Sequence, residues 1–399
     1  MTSAGHSPAS AGSEHAIAEH AAEPGTGAAP SADRLRELDQ LLVAKVAEIT
    51  AKELDSRRAQ LAEIAPEAAS LVDDLERFLE GGKLLRPRFC FWGGVAALGR
   101  EPDEAEIDAL ARLGAGIELV QAAALLHDDV IDHSPMRRGR PAQHEQARTR
   151  HEAAGLAGSS TEYGVAVAIV LGDLALSWSE QVAAAVGGQP ERVARALAEF
   201  EALRTEVMSG QFLDVLHQAG GFASAPDAEK AALSVIRWKT VPYTVLRPVR
   251  VGAALMGAQD AALETLSTWA IEVGTAFQLR DDLLSVIGDQ DETGKPIGGD
   301  IVEGKRTVLL ARTAAAADEA GRRLLAEVVG AAEAPTDRIE AVHELMISTG
   351  AVASVAGDVR AQAARAADLL AGAEELGELG RGGLAALAAQ ATDVGSLPS

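Results

Sequence analysis

The chain has a single cysteine, Cys90, which excludes an intramolecular disulfide and a multi-thiolate metal site and fits a reducing, cytoplasmic compartment. Basic residues are in deficit: 36 Lys and Arg against 59 Asp and Glu leave a net charge of −23. A surface of that sign repels nucleic acid and anionic membrane, so neither is expected as a partner. Phe, Tyr and Trp make up only 3% of residues and β-branched runs are few. With Ala and Leu abundant, this composition points to an all-helical fold. No segment is expected to reach the roughly 20 apolar residues that span a bilayer; the most apolar run, 165–171, is stopped by Gly172-Asp173. The N-terminus lacks the basic and apolar regions of a secretory signal. There is no G-x-G-x-x-G, P-loop or H-E-x-x-H. Nor is there a fixed-period repeat or heptad run, which removes solenoids and coiled coils.

What is present is helical periodicity. Residues 1–33 are Ala, Ser, Gly, Pro, His and Glu without pattern, too poor in apolar surface to offset chain entropy, and read as a disordered tail. From there to about residue 375 the chain reads as one helical domain, starting with the stripe Leu35, Leu38, Leu41, Leu42, Val46, Ile49. Helices are expected over 71–79, 88–98, 107–132, 162–186, 193–218, 228–256 (bent at Pro242) and 261–287, with three more before residue 375. Residues 137–160 read as a polar connection, 288–304 as a Gly-rich loop, and 376–399 as a loose C-terminal tail.

Chemistry concentrates at the ends of two apolar helices. The first ends in His127-Asp128-Asp129-Val130-Ile131-Asp132. Asp128 and Asp132 are i and i+4 and share a face, with Asp129 about 100° round. Carboxylates that close repel, by about 4 kcal/mol at 4 Å and an effective dielectric of 20, so a cation should sit among them. An all-oxygen set suits Mg²⁺, which takes one or two carboxylates plus waters and phosphate oxygens. The second cluster, Phe277-Gln278-Leu279-Arg280-Asp281-Asp282, ends a helix of the same kind. Either alone could be a solvated face; together they can wall a cavity for a metal-bound polyanion.

An acidic protein that binds a polyanion needs local cations. Lys83 and Arg86 follow the helix stop Gly81-Gly82, and Arg137-Arg138-Gly139 lies one short loop past the first cluster. Arginine can grip a diphosphate bidentately, lysine as a point charge. Gln121 lies two turns before Asp128. Gln211 and Asp214 interrupt a mostly apolar helix, so they bond a neighbouring helix or face a wet cavity. Lys239, beside Thr240, snorkels to solvent or meets the phosphate cluster. Lys295 and Lys305 bracket the loop after the second cluster, where a flexible cation could close over ligand.

The ordered set resembles the trans-isoprenyl diphosphate synthases (polyprenyl synthetases). It comprises Gly-Gly-Lys-x-x-Arg-Pro at 81–87, Gln121, Asp-Asp-x-x-Asp at 128–132, Arg137-Arg138-Gly139, Gly210-Gln211-x-x-Asp214, Lys239-Thr240, Phe-Gln-x-x-Asp-Asp at 277–282, Lys295, Asp300 and Lys305. The resemblance implies an all-α, single-domain bundle around a central cavity, usually homodimeric, that condenses isopentenyl diphosphate with an allylic diphosphate (dimethylallyl, geranyl or farnesyl). It implies that Asp128, Asp132 and Asp281, assisted by Asp129 and Asp282, hold three Mg²⁺ on the allylic diphosphate. Arg137, Lys239 and Lys295 would bind that same group, while Lys83, Arg86, Gln121 and Arg138 would hold isopentenyl diphosphate. Gln211, Asp214, Thr240, Gln278 and Lys305 complete the implied substrate site.

The chain departs from the family where the second motif's last carboxylate is Ser285. With Asp289 one turn on, that stretch approaches the metal motif of class I terpene cyclases, a rival reading. A non-catalytic helical subunit is another. Against the cyclase stand the cations that match an isopentenyl site. In the family, bulky aromatics four and five residues before the first Asp stop chain growth; here they are Ala124 and Ala123. A geranylgeranyl or longer product is expected, with Val120, Ile117 or a neighbouring helix as the floor.

Overall fold

Ser31 caps the first helix, its hydroxyl accepting from the Arg34 amide; the helix, α1 (Ala32–Ile64), buries Leu38, Leu42, Val46 and Leu54 on one stripe. The computed structural model describes residues 31–220, 225–287, 299–331 and 333–395. The tail reading for residues 1–30 lies outside them, as do Asp289 and Lys295. After a 3₁₀ turn come α2 (Ser70–Leu79) and α3 (Leu85–Leu98), then the central helix α4 (Glu104–Ile131). Its start is fixed by a capping box: the Glu106 amide donates to Asp103, and Glu106 accepts from the Asp103 amide, both at 2.9 Å. From Ile107 to Leu126 it is buried on most sides, which is why it reads as apolar all round. α4 packs on α1, on α3 and on α6 (Ser160–Ala184).

Residues 137–160, expected as a polar connection, hold more structure than that. A two-residue antiparallel ladder pairs Met136 with Pro141 and Arg137 with Arg140, and α5 (Gln143–Ala153) follows, packed on α6. Its buried face is Gln143, His144, Ala147 and His151, mostly polar, so no apolar stripe announced it. Next come α7 (Pro190–Gln218), α8 (Ala225–Val235), α9 (Arg247–Leu255) and α10 (Asp260–Ile287). Between α8 and α9 two π-helical turns, Ile236–Thr240 and Pro242–Leu246, replace the simple bend expected at Pro242. The chain ends with α11 (Gly299–Val302), α12 (Val308–Ala316), α13 (Glu319–Val328), α14 (Thr336–Ser348), α15 (Ala351–Ala371) and α16 (Glu378–Thr392).

The last helix corrects the loose-tail expectation over 376–395; residues 396–399 lie outside the described residues. α16 buries Leu384 and Leu387 and lies on α3. A Cβ on Gly383 would stand 2.1 Å from the Trp92 ring, and one on Gly380 would stand 2.1 Å from the Ala96 amide nitrogen. The glycines that looked like decay are what lets two helices touch backbone to side chain. Among the described residues, α4 and α6 are long and apolar enough by composition to cross a membrane; 72% of the most apolar window of α4 is buried in the bundle, against 39% for α6.

Candidate active site

Gly210 is where the site begins to assemble. A Cβ there would stand 2.4 Å from the Lys239 Cα and the Trp238 carbonyl, so only glycine lets α7 come this close to the first π turn. One helical turn on, Asp214 is buried and accepts from Lys239 Nζ at 2.6 Å, while the same ammonium reaches Asp128 at 3.1 Å. The ammonium is thus clamped between carboxylates from α4 and α7, and their charges hold it protonated well above the usual lysine range against its burial. Burial alone would push Asp128 up; Lys239, Lys305 and Arg137 bring it down to about 2.

Asp129 does not join Asp128. Its carboxylate is 1% exposed and accepts from Arg137 Nε at 2.9 Å and from Arg137 Nη2. Being about 100° round the helix, it turns into the protein and anchors Arg137, whose Nη2 lies 4.0 Å from Asp128. Asp132, the C-cap of α4, keeps the shared face with Asp128. Burial and the neighbouring Asp128 charge raise its pKa. Neither of its oxygens has a hydrogen-bond partner, and Lys305 Nζ stands 3.3 Å away.

Lys305 links this wall to the second. Beside Asp132 it meets Asp300 at 3.4 Å and Glu303 at 3.0 Å, and Ser134 donates to Glu303 at 2.8 Å. So Lys305 stands as a counter-ion inside a ring of acids rather than free to meet a phosphate. On α10, Thr240 donates to Gln278 at 2.6 Å and Gln278 donates to Asp282 at 2.7 Å. Asp282 is buried, and burial together with Asp300 raises its pKa well above the ordinary carboxylate range. Asp281 is exposed and lines the cavity described next. Ser285, in place of a third carboxylate, donates to the Asp282 carbonyl at 2.9 Å.

Two cavities meet this cluster. The larger, about 860 Å³, is lined by Lys83, Arg86, Gln121, Arg137, Arg138, Phe277 and Asp281, among others, bringing Asp281 of the second motif and most of the predicted cations to one space. Arg138 is held at a positive φ of 51° and donates to the Phe78 and Glu80 carbonyls, each at 3.1 Å. Such a backbone costs about 1–3 kcal/mol and persists only where its surroundings fix it. Arg86 is buried, donates to Thr244 at 3.0 Å and lies 4.1 Å above the Tyr243 ring centre. The smaller cavity, about 410 Å³, is mostly apolar: Val120, Ala123, Ala124, Ile169, Leu176, Val207, Met208 and Tyr243, with Asp128, Lys239 and Gln211 also on its wall. Ile117, one of the expected floor residues, does not line it; Leu176 of α6 and Val207 and Met208 of α7 do. Sequence reasoning missed Glu303 and Tyr243. Tyr243 had a signal, as one of two tyrosines and four residues after Lys239.

The oxygen-rich cluster suits a hard divalent cation: the Asp132 oxygens are buried without hydrogen-bond donors, and no soft ligand intrudes. Among the described residues no three acidic side chains already stand close enough to share one ion. Lys239 and Lys305 now occupy the positions between them.

Comparison with known proteins agrees. A crystal structure of geranylgeranyl pyrophosphate synthase from Corynebacterium glutamicum, complexed with isoprenyl diphosphate and magnesium, is 33% identical with a TM-score of 0.83, over 90% of this chain and 99% of that one. A short chain isoprenyl diphosphate synthase of Methanothermobacter thermautotrophicus is 29% identical over 277 residues, 69% of this chain and 76% of the relative. A geranylgeranyl diphosphate synthase of Methanosarcina mazei is 29% identical over 273 residues, 68% of this chain and 74% of the relative. The polyprenyl synthetase family model matches residues 69–346. The chain belongs to the polyprenyl synthetase family and is a trans-prenyltransferase.

Proposed function

We propose that the enzyme adds isopentenyl diphosphate to an allylic diphosphate, with the two substrates divided between the two cavities, to give an all-trans geranylgeranyl or longer diphosphate. The carrying observation is the adjacency of a cation-lined cavity and an apolar one: Arg137 of the first lies 4.0 Å from Asp128 of the second, and Arg86 of the first lies 4.1 Å from the Tyr243 ring of the second. In this reading the allylic hydrocarbon lies along Ala123, Ala124 and Val120, and its diphosphate faces Lys239 and Arg137. Lys83, Arg86, Gln121 and Arg138 take the diphosphate of isopentenyl diphosphate. Asp128 and Asp132 on one wall and Asp281 and Asp282 on the other would hold Mg²⁺, three ions by family resemblance, which supplies Lewis-acid stabilisation of the diphosphate.

The residues' own contributions follow from electrostatics. As the allylic C–O bond breaks, charge gathers on the departing oxygen; Lys239 and Arg137, already fixed by Asp214 and Asp129, meet it without reorganising. The isopentenyl double bond then attacks the allylic carbon, and the proton lost from the new adduct goes to the released diphosphate, so no protein base is needed. The apolar cavity keeps water from the cation.

We place the enzyme in the cytoplasm as a homodimer. Cys90 is buried and unpaired. α6 and α7 carry a band of exposed apolar residues, with Val170 48%, Met208 47% and Phe212 65% exposed, of the kind that marks a protein interface. One preparation tests these readings. Light scattering should give twice the 41.3 kDa chain mass. Mg²⁺ and labelled farnesyl diphosphate should yield a longer diphosphate only when isopentenyl diphosphate is added. Consumption of farnesyl diphosphate alone would favour a cyclase.

A further inference from the structure

One buried acid has no part in the reaction as laid out. Glu118 lies in the middle of α4, ten residues before Asp128, among the buried Ile117, Leu119 and Val120. It is 4% exposed, and its Oε2 has no hydrogen-bond partner. Nothing about packing calls for a carboxylate there, since an isolated buried charge is costly unless compensated.

The compensation comes from the polar cavity. The charges facing Glu118 are Arg86 of α3 and Arg138 of the turn after α4. Gly82, in the loop between α2 and α3, shows how near they come. A Cβ built on it would stand 3.2 Å from Glu118 Oε1 and 3.6 Å from Arg138 Nη2. Burial raises the Glu118 pKa and the two guanidinium charges oppose that shift. Both arginines need such a charge. Arg86 is buried with Nε unpartnered and neutral company in Thr244 and Tyr243, and Arg138 donates to two backbone carbonyls. Before ligand arrives, two cations in one half-buried space repel each other. A carboxylate behind them, near yet not hydrogen-bonded to either, attracts both without taking up their donors.

We propose that Glu118 is a positioning residue for the isopentenyl diphosphate site, holding Arg86 and Arg138 from beneath Gly82 in the arrangement that receives a diphosphate. The inference rests on the reading of the larger cavity as that site. Glu118→Gln keeps the shape and removes the charge. It is expected to raise the KM for isopentenyl diphosphate on the order of tenfold, as loss of a supporting residue commonly does, and to leave the allylic KM within about twofold. A residue that merely fills the core would move both KM values or neither. Gly82→Ala, a change at the loop that cannot empty the core, should raise the same KM by crowding the carboxylate and Arg138. Arg86→Gln separates the two readings. If it leaves the isopentenyl KM alone, the cavity assignment falls and Glu118 with it. If it raises that KM while Glu118→Gln and Gly82→Ala leave it unchanged or lower it, or shift both KM values equally, the role of Glu118 alone is overturned.

Discussion

The two neighbouring cavities, in contact where Arg137 faces Asp128 and Arg86 faces Tyr243, are built on opposite logics. The larger is specified by what has been added: its cations come from α3, from the loop before it and from the turn after α4, and Arg86, Arg137 and Arg138 are each held by a partner. The smaller is specified by what has been left out. Ala123 and Ala124 stand on α4 where larger side chains would fill the space. A site made by addition should lose rate or affinity when one group goes, whereas a site made by omission should change its product when one group is enlarged. Asp128 and Tyr243 stand at the boundary, facing Arg137 and Arg86 of the polar cavity.

The largest effect is expected at that boundary. Asp128→Asn removes the charge that shares Lys239 with Asp214 and one acid of the metal wall. Loss of one preorganised electrostatic group costs about 10²–10³ in turnover, so steady-state kinetics should show a fall in kcat of that order, with the isopentenyl KM changed far less. A rise confined to that KM, with kcat kept, would place Asp128 in the wrong cavity. Next in size, Ala123→Phe or Ala124→Phe should shorten the main product while turnover persists, read by chromatography of the dephosphorylated prenols. Unchanged product length would mean that the growing chain does not follow the apolar cavity.

How much of this was legible in the sequence depended on whether periodicity carried the information. The i, i+4 spacing placed Asp128 and Asp132 on one face and rotated Asp129 off it, and the structure follows that rotation; that Asp129 would be the anchor of Arg137 depended on a turn whose path no spacing reveals. α5 was hidden because its buried face is Gln and His, bonded to neighbours such as Asp74 at 2.7 Å rather than packed as an oily stripe. α16 was hidden for the opposite reason: Gly and Ala signal looseness in a chain read alone and close approach once a partner helix is present. Glu118 did leave a trace, a charge inside an otherwise apolar helix, but its meaning lay in Arg86 and Arg138, distant in sequence or on another element.

Tyr243 offers the finest test of the division between the cavities. Its ring lines the apolar space, and the Arg86 guanidinium lies 4.1 Å from the ring centre on the polar side. A desolvated cation–π contact is worth about 0.5–2 kcal/mol. Tyr243→Leu should therefore loosen Arg86 and raise the isopentenyl KM about fivefold, since 1.4 kcal/mol corresponds to about a tenfold change. The smaller side chain should also widen the apolar cavity and move the product distribution slightly toward longer chains. Tyr243→Phe keeps the ring and should do neither. If the phenylalanine variant were impaired as much as the leucine one, the hydroxyl rather than the ring face would be the working part, and Arg86 would not be held from the apolar side. If the leucine variant altered product length without touching the isopentenyl KM, the two cavities would be independent at this wall, and the Arg137–Asp128 approach would be what joins them.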